Sequence, residues 1–233
     1  RVHTRQLEML HDLISSGNLA DSMSDLLDSI LEIVARLLDF DQAQIYFHDP
    51  VADRLFPAAS RGVPKKFLLD DRYLAVGANP ISRVIRQGEA AFFDQEDLKH
   101  HDLAKKWGWR MAASVPLLSK GRVVGALNVA SKSRDAFTSE EKNTLLLVGK
   151  EAGTLISKLQ TETALRESEK YYRTLVETSP DFVFALGLDG TITMVNQRYL
   201  DVTGFGHDEI VGHNVLEFVR DMEPAFFHDG IRE

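Results

Sequence analysis

The sequence predicts an α+β chain: a central antiparallel sheet with flanking helices, then a long connecting helix, then a partial α/β segment. Three observations predict it. Strand-like stretches lie between two helical patterns within residues 21–158. A helical pattern then runs from Thr138 to near Glu177. Last, SPDFVFALGLDGTITMVNQ (179–197) has the form of a β-hairpin opening a further domain, residues 178–233.

The elements follow in order. Residues 1–20 predict a weak first helix, about His3 to Ser15, ending at Gly17-Asn18. A stronger helix spans roughly Ser22 to Leu38, because Leu26, Leu27, Ile30, Val34 and Leu37 recur at the spacing of one helical face. AQIYFHD (43–49) reads as a strand, with Ala43, Ile45 and Phe47 on one face and Gln44, Tyr46 and His48 on the other. RLFPAAS reads as a second strand. NPISRVIRQG (79–88) reads as a short helix with Asn79 as its cap, Pro80 at its first position and Gly88 as its stop. AAFFD is a strand ending at Asp94.

MAASVPLL (111–118) and RVVGALNVAS (122–131) form a hairpin around Ser119-Lys120-Gly121, apolar enough to be central strands covered on both faces. Thr138 and Glu141 have the spacing of a capping box, so helix 139–177 starts there. Along it Leu145, Val148, Ala152, Leu155 and Leu159 step by three and four, the seam of a coiled coil, and Leu165, Tyr172 and Leu175 resume it in a shifted register. This stripe predicts a homodimer through helices, with a surface helix of one apolar stripe and a polar end as the alternative. In the final segment the Asp189-Gly190 pair turns the hairpin.

Composition excludes several functions. With no cysteine, the chain has no disulfide, thiolate metal site, thiol catalysis or thioether-linked chromophore. No apolar run approaches the roughly eighteen residues of a membrane span, and the first residues are not a signal peptide, so a cytoplasmic location is expected. The net charge of −8 lies wholly in residues 160–233; residues 1–159 balance acids and bases. Without a basic excess, nucleic acid is not an expected partner. Walker, nucleophile-elbow, H-E-x-x-H and kinase motifs are absent, and no catalytic residue is assigned.

The order of elements over about Asp21 to Gln160 resembles a GAF domain. The runs AVGANPISRVIRQGEAAFFDQ and SVPLLSKGRVVGALNVASKSRDAFTSEEKNTLLLVGKEAGTLI carry the likeness. ALRESEKYYRTLVETSPDFVFALGLDGTITMVNQRYLDVTGFGHDEIVGHNVLEFV resembles the N-terminal half of a PAS domain. The second half of that fold is missing, so the segment is expected to be cut from a longer protein, with residues beyond about Phe218 poorly packed. The pairing implies a sensory fragment of a multidomain microbial signalling protein, a sensor histidine kinase by type. A non-binding dimerisation scaffold, or the sensor part of a nucleotide cyclase or transcription regulator, are the alternatives.

The GAF likeness also implies a pocket for a small molecule of unknown identity. Tyr46, Phe56, Phe67, Trp109, Ser114 and Asn128 are its candidate lining, since such pockets set a few polar anchors among apolar walls. Core packing is the alternative role for each, and the favoured one for Phe56 and Phe67. Asn128, an amide within an apolar strand, needs a partner. Phe184, Asn196 and Tyr199 are the counterparts in the second segment, Asn196 more simply as a helix cap. The family's cyclic-nucleotide signature is imperfect: Lys132, Phe137 and Glu141 fit, but Ser131 stands in place of asparagine. Thr138 and Glu141 also fit a plain cap. His48, His100 and His101 are the only metal or haem candidates of the first domain, and a solvated loop explains the adjacent pair better. No metal or other cofactor is assigned.

Overall fold

The computed structural model describes residues 11–17, 19–20, 22–49, 51–64 and 80–219. Two compact units divide it, residues 1–162 and 163–233.

In the first unit residues 11–17 are helical, and α1 (Met23–Leu38) follows. Ser22 caps α1, its hydroxyl accepting from the Asp25 amide, and Asp39 ends it in the left-handed region. Leu26, Leu27, Ile30, Leu31 and Val34 on its inner face are buried, each a contribution of about 1.5–3 kcal/mol. The strands β1 (Gln42–Asp49), β2 (Arg54–Arg61), β3 (Ala91–Phe93), β4 (Met111–Ser119) and β5 (Arg122–Ser131) make one antiparallel sheet in the order β2-β1-β5-β4-β3. The sheet is held together by long-range pairing, with β1 and β5 meeting across most of the unit's sequence. Pro57 lies in the edge strand β2 next to a register shift, where a missing N–H is tolerated. Lys120 and Gly121, both at positive φ, turn β4 into β5.

The two faces of this sheet differ. One carries Ala43, Ile45, Phe47, Met111, Val115, Leu117, Leu127 and Val129, packed with α1 and with α5 (Ser139–Glu177) into the main core. The other is crossed by α2 (Pro80–Gln87), whose Val84 and Ile85 pack with Tyr46, Leu55 and Ala126. Between β3 and β4 the chain forms two short helices, α3 (Gln95–Leu98) and α4 (Asp102–Trp107). The loop expected around His100 and His101 is therefore a helix junction, with both histidines exposed and His101 at the N-cap of α4.

Helix α5 begins as expected. Glu141 accepts from the Thr138 amide, and Thr138 Oγ1 accepts from the Glu141 amide. Arg134 also pairs with Glu141. The coiled-coil seam needs correcting. Leu145, Val148 and Ala152 are fully buried with Ile156 in the unit's own core, so they offer no surface to a second chain. Gly149 and Gly153 lie among them and bring the helix against the backbone of β4. Leu155 and Leu159 are half-buried against the same core. From Gln160 to Leu175 every side chain is exposed, Leu165 and Tyr172 included.

The second unit holds the hairpin β6 (Phe184–Leu186) and β7 (Ile192–Val195), then α6 (Gln197–Thr203), α7 (His207–Ile210) and α8 (Val215–Val219). Gly190 sits at φ 84° in the turn, and Asp189 Oδ1 accepts from the Thr191 amide. Ile192, Val195, Tyr199 and Ile210 are its small core. The expectation about residues beyond Phe218 falls largely outside the described residues, as do Phe67 and the Asn79 cap.

Candidate functional site

Residues paired across antiparallel strands share a face of the sheet. Register therefore places Ser60, Gln44, Asn128, Ser114 and Ala91 in one row across all five strands. The neighbouring rows on the same face bring Gln42, Ala130 and Ala112 to one side of Asn128 and Tyr46, Ala126 and Pro116 to the other. The rows through and beside Asn128 on β1, β4 and β5 carry small or neutral polar side chains, with Phe93 at the β3 edge and His48 and Leu55 farther along the same face. The opposite face of these strands carries methionine, leucine and valine. Helix α2 packs Val84 and Ile85 over the Tyr46 and Ala126 side of this face.

The polar atoms there differ in how they are satisfied. Gln42 Oε1 accepts from Trp109 Nε1 at 2.7 Å, so Trp109, following α4, braces one side of the face. Ser114 Oγ and both amide atoms of Asn128, Nδ2 and Oδ1, are buried and have no hydrogen-bond partner. An unmet buried polar group costs about 1–3 kcal/mol. Two such residues stand directly opposite one another on adjacent central strands. That is a paired donor and acceptor set suited to a small molecule.

Of the candidates, Tyr46, Trp109, Ser114 and Asn128 thus meet on or beside one face. Phe56 does not join them. It pairs with Phe47, on the opposite face, and its ring rests edge-on against Phe47 with centroids 5.8 Å apart. Sequence reasoning missed Gln42 and Gln44, although their period-two spacing with Tyr46 was the available signal. Residues of the imperfect cyclic-nucleotide signature have structural work. Phe137 packs against Phe40 and Phe92, and Glu141 caps α5. Ser131 Oγ and the Lys132 amide both donate to Asp41 Oδ2, which holds the Asp41 carboxyl below its ordinary range. For Glu141, burial pushes the carboxyl up, but the Thr138 amide and hydroxyl and the Arg134 guanidinium outweigh it and lower it. Among the described residues no cluster of three or more histidine or acidic side chains could hold a metal.

In the second unit Asn196 is structural. It is fully buried, its Oδ1 accepts from the Val183 and Tyr199 amides, and its Nδ2 donates to the Val176 and Asp181 carbonyls. All of its capacity is used, so it is withdrawn from the ligand candidates. Tyr199 is buried between Phe182 and Phe184, and burial raises its hydroxyl pKa. Phe184 is about half exposed. A separate groove of 460 Å³ lies between the end of α5 and α6, lined by Tyr172, Val176, Met194 and Leu200 among others.

The comparisons fit this architecture. A family model of the GAF domain matches residues 20–157, and one of the PAS fold matches residues 170–233. The chain belongs to the GAF domain family. Both matched folds are sensory domains. Among curated proteins it is similar to a methyl sulfide methyltransferase-associated sensor of Methanosarcina acetivorans, 24% identical over 200 residues. That match covers 84% of this chain and 19% of the relative, so the chain spans about a fifth of that protein's length. Among solved structures, the GAF domain of an Acinetobacter phosphoenolpyruvate-protein phosphotransferase superposes with a TM-score of 0.58 at 21% identity, over 68% of this chain and 97% of that one. A domain from a Sinorhizobium meliloti 1021 protein assigned as a two-component sensor histidine kinase gives 0.52 at 18% identity, over 63% and 99%. These likenesses show the fold. Among the described residues no helix is long and apolar enough to cross a membrane.

Proposed function

We infer that this chain is the ligand-sensing and relay part of a larger signalling protein of the sensor histidine kinase type. The observation that carries the reading is the pair Ser114 and Asn128, three buried polar atoms without a partner on the small-residue face of the GAF sheet. The sensor name of the Methanosarcina relative and the kinase assignment of the Sinorhizobium protein support the type of parent.

The relay would run through β4 and α5. Strand β4 carries Ser114 on one face and Val115 on the other, where Val115 and Pro116 touch Gly149 of α5. A ligand that draws on Ser114 shifts the strand on which the helix rests. Helix α5 is 39 residues long and continues into the PAS match. Its exposed stretch from Gln160 to Leu175 carries Leu165, Tyr172 and Leu175, spaced by seven and three. A helix this bare is marginal alone in water. Packing against its counterpart in a second copy would cover that stripe and make a homodimer. Ligand binding would then bias which helical packing is populated.

Thermal unfolding of the wild type and of Ser114→Leu against fractionated metabolites tests the ligand site. Leucine replaces the hydroxyl with a larger apolar group on that face of β4 and leaves the opposite face's residues unchanged. A ligand at a hundred times its Kd adds about 2.7 kcal/mol. The reading expects a fraction that raises the wild-type midpoint and leaves the variant's unchanged; an equal rise in both places the ligand elsewhere.

A further inference from the structure

We propose that the molecule recognised at this face is uncharged and presents a cis-amide edge, an N–H donor beside a C=O acceptor, as in a lactam, a cyclic urea or a nucleobase. The proposal rests on the reading of the Ser114–Asn128 face as the ligand site and goes on to name the chemistry of its occupant.

Three observations lead to it. First, Asn128 offers a planar pair, Nδ2 donating and Oδ1 accepting, with both atoms buried and unmatched within the protein. An amide side chain is satisfied at once by a ligand edge that accepts and donates at adjacent atoms. Second, the described side chains of β1, β4 and β5 in the rows through and beside Asn128 are neutral, and His48, farther along β1 on the same face, is paired with Asp53. The polar ones are Gln42, Gln44, Tyr46, Ser114 and Asn128, and those between them are alanine or proline. A phosphate or carboxylate placed over them would lose its hydration and meet no cation from these rows of the strands, Arg86 of α2 being paired with Asp53, and Asn128 Oδ1 would face a second acceptor. Third, Ser114 lies directly across from Asn128 on the next strand. Its hydroxyl, free to donate or accept, completes a three-atom set that fixes the edge in the plane of the amide rather than merely attracting it.

The alternation of faces sharpens the point. On the core side the same strands place Val115, Leu127 and Val129, chosen for volume. On this side Ala112 and Ala130 flank Asn128 and Ala126 is covered by Val84 and Ile85 of α2, so a flat ring whose edge pairs with the amide has apolar groups beside it. A site built to pair with a donor rejects an analogue that lacks it, because its own acceptor is left unmet.

The test uses the full chain with 15N-labelled asparagine side chains, the Asn128 signals being assigned by their loss in Asn128→Leu. The probes are 2-pyrrolidone, uracil and hypoxanthine as neutral cis-amides, 1,3-dimethyluracil as a form without the N–H donor, and orotate as an anion. At least one neutral probe should shift the Asn128 Nδ2 protons saturably, with 1,3-dimethyluracil and orotate about tenfold weaker or worse. Equal or tighter binding of orotate or 1,3-dimethyluracil at Asn128 overturns the assigned chemistry and leaves the site standing. Probes that bind wild type and Asn128→Leu alike overturn both the chemistry and the site. No saturable shift from any neutral probe at millimolar concentration also overturns the proposal.

Discussion

Gly149 of α5 lies so close to Pro116 of β4 that a Cβ at residue 149 would sit 2.5 Å from the proline carbonyl oxygen. One turn later the same holds at Gly153, whose Cβ would meet the Leu118 amide nitrogen at 2.3 Å. Helix and strand touch backbone to backbone along the line where Ser114 is carried on the reverse face. Gly149→Ala and Gly153→Ala should each destabilise the first unit by about 2 kcal/mol, although alanine favours an isolated helix by about 1 kcal/mol. Both tryptophans lie in this unit, so urea unfolding followed by their fluorescence reads it directly. Unchanged midpoints would mean that α5 does not bear on β4.

Asn196 marks the opposite case to Asn128, an amide with every bond made. Asn196→Ala should cost the second unit about 3 kcal/mol, its four hydrogen bonds being worth about 1 kcal/mol each before relaxation. Amide exchange at Val183 and Tyr199, the two donors to its Oδ1, should accelerate at least tenfold.

Acid should loosen the first unit through Asp41. Its carboxyl is lowered by bonds from the Lys132 amide and the Ser131 hydroxyl. A carboxyl with a depressed folded pKa contributes stability that is present above its unfolded value, near 3.9, and is lost as pH falls through the folded value. Asp41→Asn should therefore be less stable than wild type at pH 7, and the two stability curves should converge below about pH 4. A constant offset down to pH 2 would show that the charge of Asp41 is not what matters.

The account of a helical dimer is confined to the exposed part of α5. Leu165→Glu with Tyr172→Glu should convert a dimer to monomer in sedimentation velocity, with the fluorescence-monitored stability of the first unit unaltered. Leu145→Glu should instead unfold that unit, since Leu145 is fully buried in the core.

Much of this fold was legible in the residues. Ser22, Thr138 and the Gly187–Gly190 turn announce their elements through local chemistry, and the spacing of Leu26, Ile30 and Val34 names the buried face of α1. The coiled-coil stripe was misread because period alone does not say what covers an apolar face; Gly149 and Gly153 within it were the hint that a sheet, not a helix, lies against it. Phe56 was offered as pocket lining with packing as its favoured role, and its ring rests against Phe47. One residue of register decides which face of a sheet a strand residue joins, and the bulge in the β1–β2 ladder cannot be seen from composition. Asn128 was legible because an amide between Leu127 and Val129 requires a reason. Gln42 and Gln44 gain meaning only once register aligns them with it.

The central claim is that Asn128 is kept for a ligand and not for the fold. The direct measurement is the urea midpoint of Asn128→Leu against wild type, without added ligand, by tryptophan fluorescence. An unpartnered buried amide costs about 1–3 kcal/mol, so the account predicts a variant at least as stable as wild type. A loss of about 2 kcal/mol or more, the size expected for a bonded core amide, would contradict it.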